Sequence, residues 1–267
     1  MDADLKKNIL TTGTSLVGIV CKDGVVMAGD RKTTAGGQIV MNKNTQKVCQ
    51  LNSYLVVSGT GTSSDIELAK KLITAQLKLK ELKDKKRPTI REAANMIAMS
   101  SYKNIRQPSM IPFMAGLMVG GINENGEAEL YSVEPAGSVM EVEDYDANFS
   151  SGMPYILGFL ERQYKKDLPM EEGIELSIEA IKASSERDTA SGHGVRLHDN
   201  KRGNKTHIET KSRKSVHRTQ LINYNNMELN QNEVLEKFFL LCLSRGTPNG
   251  RKRNFFFLKR KKSWQIS

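Results

Sequence analysis

Residues 13–30 read GTSLVGIVCKDGVVMAGD, and this stretch decides how the fold begins. Two apolar runs rich in β-branched residues, 16–20 and 25–28, flank the turn sequence Lys22-Asp23-Gly24. Asp-Gly between two such runs is a strong signal for a tight β-hairpin. The sequence therefore predicts an antiparallel hairpin here, and further short apolar runs extend the strand-rich region to about residue 58. Those runs are 38–41, 48–51 and 54–57.

After residue 62 the apolar pattern changes to helical spacing. Ser64-Asp65-Ile66-Glu67 and Thr89-Ile90-Arg91-Glu92 both match the capping box that opens helices, so each predicts a helix start. Strand patterns return at 113–121 and 128–133, and two more helices are expected at about 155–165 and 170–186. An order of strands, two helices, strands and two helices predicts an α/β sandwich of four layers, in which each sheet carries helices on its outer face.

The charge is divided unevenly along the chain. The whole chain carries a net charge of +10, but residues 1–194 hold 23 Lys and Arg against 25 Asp and Glu. Residues 195–267 hold 17 against 5, so the basic character belongs to the last 73 residues. A nucleic-acid binder acting through this segment is one open alternative. Its aromatic residues are few and clustered at 255–257, which speaks against a stacking surface.

Several other classes do not fit the sequence. No apolar run approaches the roughly 18–20 residues that span a bilayer. The N-terminus lacks a basic segment followed by an apolar one, so no secretory signal is predicted. Cys21, Cys49 and Cys242 match neither a disulfide framework nor a metal site, which indicates a reducing cytosol. The four histidines have no ligand-like spacing, so no metal is expected.

Gly13-Thr14-Ser15 could supply a nucleophile. A threonine hydroxyl needs a base, and an N-terminal threonine carries one in its own α-amine, whose ordinary pKa is about 7.7–8.0. Within a chain that nitrogen is an amide, so such an enzyme must be cut before Thr14. Glycine at position 13 tolerates the strained backbone that internal attack requires. Taken alone, the same residues also fit an ordinary polar turn before the first strand.

Five blocks resemble the archaeal-type proteasome β subunits, in the same order: 13–19, 22–30, 34–36, 151–154 and 187–192. The resemblance covers roughly residues 8–194. It implies an α+β fold of the N-terminal-nucleophile hydrolase type, a four-layer αββα sandwich of two antiparallel sheets flanked by helices. It also implies a propeptide over 1–13 and a catalytic domain over 14–194, leaving 195–267 as a basic C-terminal tail.

The resemblance implies these site roles. Thr14 is the nucleophile and supplies the base, and Asp30 orients Lys47, a cation that helps the hydroxyl lose its proton. One extra residue separates Asp30 from Lys47, so a local bulge is expected. Lys47 is preferred to Lys43 because residues 47–51, which read KVCQL, keep the family's pattern after the lysine. Gly61 is implied to donate to the oxyanion through its backbone N–H. Ser151, Asp188 and Ser191 are implied to form a hydrogen-bonded shell around the threonine amine. Thr34 is implied to bind the substrate backbone.

Four small residues are implied to line the pocket for the substrate side chain, and we expect that pocket to be roomy and weakly selective. These residues are Thr33, Thr45, Gly59 and Ser63. The implied activity is that of a threonine-type endopeptidase, self-cleaved between Gly13 and Thr14, which needs no cofactor and degrades unfolded proteins in the cytoplasm. The implied partners are other β subunits in a ring, rings of α subunits and a regulatory ATPase. A non-catalytic ring subunit and another N-terminal-nucleophile amidohydrolase remain open alternatives.

The family pattern stops after Gly194. Residues 195–203 read VRLHDNKRG, and a one-base shift after Val195 allows the same codons to encode Val-Asp-Phe-Met-Ile-Thr-Lys-Glu-Gly, an apolar strand and a charged turn. We therefore hypothesise a frameshift. A segment read in the wrong frame is expected to lack alternating apolar positions, and so to leave one sheet without its last strands.

Overall fold

The computed structural model describes residues 13–35, 39–110, 112–201, 204–210 and 222–223. Their strands are β1 (Leu16–Cys21), β2 (Gly24–Asp30), β3 (Thr33–Ala35), β4 (Ile39–Asn42), β5 (Val48–Gln50), β6 (Leu55–Gly61), β7 (Ala115–Ile122), β8 (Ala128–Val133), β9 (Val139–Glu141), β10 (Tyr145–Asp146), β11 (Val195–Lys201), β12 (Asn204–Thr210) and β13 (Ile222–Asn223). Their helices are α1 (Ser63–Asp84), α2 (Ile90–Ile105), α3 (Met153–Gln163) and α4 (Met170–Ser185). The apolar run at 234–243, whose sequence also fits a helix, lies outside the described residues.

The first hairpin is confirmed. β1 and β2 pair antiparallel, and Cys21 opposite Gly24 leaves Lys22 and Asp23 as the two turn residues. Gly24 belongs to β2 rather than to the turn. A Cβ there would lie 2.1 Å from the carbonyl oxygen of Asn200, so glycine lets β11 approach closely.

Two larger antiparallel sheets organise the described chain. One has the strand order β10-β1-β2-β11-β12-β13, and the other has the order β5-β6-β7-β8-β9. β3 and β4 form a separate two-stranded hairpin. The protein is thus a mixed α/β fold with more than one sheet, as the alternation of strands and helices predicted.

Three apolar clusters hold these elements together. In the first, β1, β2 and β11 pack against α3 and α4 through residues such as Ile19, Ile156 and Ile181. In the second, β6, β7 and β8 pack against α1 and α2. The third joins strands of the two large sheets to each other, with Leu16 and Met27 from one and Met118 and Leu130 from the other. Burial of these side chains, at roughly 1.5–3 kcal/mol each, supplies the driving force that fixes the sheets.

One of the two predicted capping boxes is wrong. α1 begins at Ser63, and its N-cap Thr62 makes no side-chain cap hydrogen bond. Ser64 therefore lies within the helix rather than at its N-cap, and the Glu67 carboxylate pairs with Lys71 at 2.7 Å. The second box is confirmed, with reciprocal bonds between Thr89 and Glu92 at the start of α2. None of the helices described is both long and apolar enough to cross a membrane.

The expectation that no strand follows Gly194 is also wrong. β11 pairs along its whole length with β2, from Val195 opposite Asp30 to Lys201 opposite Gly24, and β12 pairs with β11. Val195 and Leu197, two residues apart on β11, are both buried, so the strand keeps apolar side chains at two alternating positions. Asn200 is buried as well, and its amide donates to the Tyr54 carbonyl at 2.5 Å. Strand pairing uses backbone groups, which every residue other than proline supplies.

Candidate active site

A buried carboxylate organises the centre of the site. Asp30, the last residue of β2, lies 2.7 Å through Oδ1 from Nζ of Lys47, which precedes β5. The same oxygen accepts from the N–H of Ser15 at 2.9 Å, and Oδ2 accepts from the N–H groups of Lys32 and Gly192, each at 3.0 Å. Asp30 therefore ties the segment before β1 to the loop before β11. Four donors around one carboxylate compensate for its complete burial.

Lys47 faces the peptide bond before Thr14. Its ammonium donates to the Gly13 carbonyl at 2.8 Å as well as to Asp30. Burial lowers the pKa of Lys47 below the ordinary lysine value, and the neighbouring Asp30 carboxylate opposes that shift. Lys43, the other lysine weighed from the sequence, is exposed beyond β4.

The extra residue between Asp30 and Lys47 is taken up in the small hairpin. Thr33 pairs with Asn42 and Thr34 with Val40, so Met41 is the additional residue on β4 and the register shifts there. Such a bulge changes the face to which the following residues point. The local bulge expected between Asp30 and Lys47 is thus present, and Lys47 reaches Asp30.

The nitrogen of Thr14 lies in a network of hydroxyls. Thr14 N donates to Ser151 Oγ at 2.9 Å, and Ser151 Oγ lies 2.6 Å from Oδ2 of Asp188. Ser191 Oγ donates to the same carboxylate oxygen at 2.5 Å. The turn before α3 and the loop after α4 thus bring together the three residues predicted to surround the threonine amine.

Sequence reasoning missed two further hydroxyls in this network, Ser15 and Ser184. Ser15 Oγ donates its one proton to Ser191 Oγ at 2.7 Å, so Ser184 Oγ must donate to Ser15 Oγ, also at 2.7 Å. The bonds run one way, from Ser184 through Ser15 and Ser191 to Asp188. A chain that ends on a carboxylate polarises each of its members.

A signal for Ser184 exists in the sequence. It follows Ile178 and Ile181 at three-residue spacing on the buried face of α4, where an apolar side chain would be expected. Gly152 provides the space for this contact, since a Cβ there would lie 2.1 Å from Ser15 Oγ and 2.2 Å from Ser184 Oγ. A polar residue on an apolar helix face therefore marked a structural partner of the site.

A cavity of about 230 Å³ opens beside Thr14, and all four residues predicted for the side-chain pocket line it: Thr33, Thr45, Gly59 and Ser63. The lining also includes Gln46, Ile66, Glu67 and Lys70, which the sequence did not indicate. The space that a side chain at residue 59 would take is occupied by Ile66, whose Cγ2 lies 2.6 Å from an ideal Cβ there. The pocket is therefore bounded by α1.

Gly61 and Thr34 lie apart from that cavity. Gly61 ends β6 with a φ of +114°, a conformation that favours glycine, and a Cβ there would lie 2.2 Å from the Met114 carbonyl oxygen. It is not among the cavity's described lining residues. Thr34 is buried, and its Oγ1 accepts from the N–H of Gly13 at 3.4 Å. In this structure Thr34 therefore holds the residue before Thr14.

Gly13 fits closely against the loop after α4. A Cβ at this position would lie 1.8 Å from Cβ of Ala190, so no other residue fits without a shift. Lys47 and Thr34 hold its carbonyl and N–H, respectively. Glycine is thus required by space at the peptide bond where cleavage is predicted.

The architecture and the site define a class: a mixed α/β protein in which a buried Asp–Lys pair and a set of serines converge on a threonine that follows glycine. The chain belongs to the proteasome subunit family, whose model, described as "Proteasome subunit", matches residues 10–198.

Individual relatives are proteasome β subunits of archaea. The proteasome subunit beta of Methanopyrus kandleri is 35% identical over 186 residues, which are 70% of this chain and 86% of that protein. The proteasome subunit beta of Nanoarchaeum equitans is 33% identical over 69% of this chain and 91% of its own length. Proteasome subunit beta 1 of Thermococcus kodakarensis is 37% identical over 69% and 87%, respectively.

Proposed function

We propose that this chain is a catalytic β subunit of a proteasome, a threonine-type endopeptidase whose nucleophile is Thr14 after self-cleavage at Gly13. The carrying observation is the contact of Thr14 N with Ser151 Oγ, itself bonded to Asp188. Once residue 13 is removed, that nitrogen becomes an amine whose neighbours are already positioned. The fold assigned by this proposal is the four-layer sandwich of two antiparallel sheets flanked by helices. It is supported by an apolar cluster shared between two sheets whose other sides carry helices.

The peptidase step needs a base and a cation. The free amine of Thr14 takes the proton of its own hydroxyl, and Oγ attacks the carbonyl carbon of the substrate. The Lys47 ammonium favours the loss of that proton, and Asp30 holds the ammonium in place. The amine then delivers the proton to the leaving nitrogen, and water releases the acyl group. The N–H of Gly61 is the proposed donor to the tetrahedral oxyanion.

Self-cleavage uses the same hydroxyl and the same lysine, but the Thr14 nitrogen is still an amide at this stage. Thr14 Oγ attacks the Gly13 carbonyl carbon, and the bond between that carbon and Thr14 N breaks as the nitrogen gains the proton that Oγ loses. Water then hydrolyses the ester and leaves a free amine on Thr14. The Lys47 ammonium, 2.8 Å from the Gly13 oxygen, is placed to stabilise the negative charge that develops there.

We propose the following setting for this activity. Rings of this subunit stack with rings of α subunits in the cytoplasm, and a regulatory ATPase delivers unfolded proteins, while the peptidase itself uses no ATP. Thr34 binds the substrate backbone after the leader leaves, because its hydroxyl then loses the Gly13 N–H. The first 13 residues are a propeptide and residues 14–194 the catalytic domain, while residues 195–267, which contribute β11 and β12 to its sheet, are a C-terminal segment of proposed frameshift origin.

The test is intact mass and N-terminal sequencing of the assembled protein, with peptide hydrolysis measured on the same sample. We expect a new N-terminus at Thr14 together with activity, and neither in Thr14→Ala. Assembled particles that keep residues 1–13 and still degrade peptides would disprove the proposed chemistry. Particles that are never cut and are inactive would instead assign the subunit a structural role in the ring.

A further inference from the structure

The cavity beside Thr14 has a charged wall that goes beyond the predicted small residues. Ser63, Ile66 and Lys70 follow one another on α1 at three- and four-residue spacing, so they share one helix face, and all three line the cavity. Lys70 is partly buried at this position. The inference below rests on the proposed peptidase function, in which this cavity receives the substrate side chain next to the cleaved bond.

The other charges at the cavity already have partners of opposite sign. Lys47 is bonded to Asp30 at 2.7 Å. Glu67 is mostly exposed, and its carboxylate is bonded at 2.7 Å to Lys71, which lies outside the cavity lining. The negative charge of Glu67 is thus directed toward solvent and toward Lys71.

Lys70 lies near two groups, the Cys49 thiol of β5 and the Glu67 carboxylate. Burial raises the pKa of the Cys49 thiol and the Lys70 ammonium opposes that shift. Lys71, and more weakly Lys70, lower the pKa of Glu67. Among the residues that the structure describes, no carboxylate forms an ion pair with Lys70 within 4 Å. A thiol is a weak acceptor, so an incoming carboxylate would form a stronger, charge-assisted bond with the same ammonium.

Two hydroxyls extend this polar wall. Thr33 Oγ1 and Thr45 Oγ1 lie 2.5 Å apart, and both residues line the cavity. Only one of the two protons is needed for the bond between them, so the other remains available to an acceptor. A volume of about 230 Å³ exceeds the roughly 30 Å³ share of one water molecule several-fold, which leaves room for a side chain of the size of glutamate.

We infer that Lys70 is a specificity-determining residue, and that the cavity prefers substrates with an acidic side chain, above all glutamate, immediately before the cleaved bond. The Lys70 ammonium leaves the Cys49 thiol and pairs with the substrate carboxylate. An arginine or lysine side chain would bring a second cation toward Lys70, and the one carboxylate in the described lining, Glu67, is already bonded to Lys71, so such substrates are disfavoured. The pocket is thus selective by charge rather than indifferent.

The experiment uses assembled, processed particles and four peptides identical except for Glu, Gln, Leu or Arg before the cleaved bond. Glu and Gln have the same shape, so the ratio of their kcat/KM values isolates charge. We expect this ratio to be about fivefold in favour of Glu at low salt, equivalent to about 1 kcal/mol. It should shrink toward one as salt screens the pair. Arg should be the poorest of the four.

Lys70→Met keeps an unbranched side chain only one atom shorter and removes its charge, so the Glu-to-Gln ratio should fall to about one. Lys78→Met is the matched control, because Lys78 is on the same helix and outside the cavity lining, and the ratio should not change. A wild-type preference for Arg or Leu over Glu, or an unchanged ratio in Lys70→Met, would overturn the inference.

The failure of this inference is distinguishable from that of the proposed function. Hydrolysis that survives in Thr14→Ala for every peptide would reject the peptidase mechanism itself. Thr14-dependent hydrolysis without a charge preference would reject only the role of Lys70. If Lys70→Met does not assemble, the wild-type Glu-to-Gln ratio and its decrease with salt decide the question, because both are measured on the unaltered protein.

Discussion

Nζ of Lys47 and Oδ1 of Asp30 lie 2.7 Å apart, with both side chains almost completely withdrawn from solvent. Removing two charges from water costs several kcal/mol for each ion, and a buried pair seldom repays that cost in stability. The lysine has a further neighbour in the Gly13 carbonyl, at the bond where cleavage is proposed. A pair with this position is better explained by chemistry than by folding, and it leads to the first two predictions.

Lys47→Ala should block both self-cleavage and peptide hydrolysis. The variant removes the cation that favours ionisation of the Thr14 hydroxyl, and losses on the order of hundredfold or more are typical when such a group is removed. Rates of peptide hydrolysis and the mass of the N-terminal peptide check this. Lys43→Ala is the matched control and should stay within about twofold, since Lys43 is exposed. A strong loss in Lys43→Ala alone would reassign the lysine.

The pH dependence should report the ionisation of Lys47. Burial lowers its pKa, so as pH rises it loses its proton earlier than an ordinary lysine, and activity should decline on the alkaline side below about pH 10.4. The Asp30 carboxylate raises that pKa. Asp30→Asn should therefore move the alkaline decline of kcat/KM to lower pH.

The control for this experiment is Asp84→Asn, an acid at the exposed end of α1 that is remote in sequence from the site. Its pH profile should match that of the wild type. If the alkaline decline of kcat/KM in Asp30→Asn stays at the wild-type pH or moves to higher pH, that decline does not report Lys47. Circular dichroism across the same pH range excludes unfolding as the cause.

Gly13→Ala should slow self-cleavage for a steric reason. The new Cβ would meet Cβ of Ala190 at 1.8 Å, so the bond to be cut must move away from Lys47. A misplacement of about 1 Å can cost on the order of hundredfold in rate. Time courses of precursor loss by mass spectrometry measure it. The double variant Gly13→Ala/Ala190→Gly should recover much of the self-cleavage rate. If it does not, a clash with residue 190 is not what slows cleavage.

Ser184→Ala should lower kcat about tenfold and leave KM within about twofold. The substitution removes the donor that fixes the proton direction through Ser15 and Ser191 toward Asp188. Ser177→Ala is the matched control, because Ser177 is a buried serine of the same helix whose hydroxyl donates to the Ile174 carbonyl at 2.8 Å. Both should lose about 1–3 kcal/mol of stability. Equal kcat values in the two variants would mean that Ser184 has only a structural role.

Alkylation of Cys49 tests the Lys70 contact without any activity assay. Burial raises the thiol pKa, and the Lys70 ammonium lowers it in opposition. Lys70→Met should therefore raise that pKa and slow alkylation of Cys49 at a fixed pH, because less thiolate is present. Burial raises the pKa of Cys21 to about 12, so Cys21 should remain unreactive in both proteins. A faster reaction at Cys49 in Lys70→Met, with the same pH dependence, would contradict the contact.

Features that depend on residues close together in the sequence could be predicted. The β1–β2 hairpin, the Thr89–Glu92 capping box and the order of helices and strands all follow from neighbouring residues, and each is present. The box at Ser64 failed because the helix begins one residue earlier, which places Ser64 inside it, and the Glu67 carboxylate pairs with Lys71. β11 was missed because antiparallel pairing with β2 depends on backbone groups that composition does not reveal.

Contacts between distant segments were not readable from local pattern. Ser184 meets Ser15 only because α4 packs across β1 and Gly152 leaves space between them. The charge of the cavity was hidden for the same reason. Lys70 is one of several lysines on a polar helix, and only the packing of α1 on the sheet brings it near Cys49.

Contiguous residues specify the candidate nucleophile, its preceding glycine and the five ordered blocks that resemble one family, and the resemblance already favoured Lys47 as the partner of Asp30. Only the folded chain shows that Ser15 and Ser184 extend the hydroxyl chain to Asp188 and that Lys70 lines the cavity. The reason is physical: hydrogen bonds and ion pairs act over about 3–4 Å, and segments 15 to 176 positions apart come that close only through the packing of two sheets and their helices.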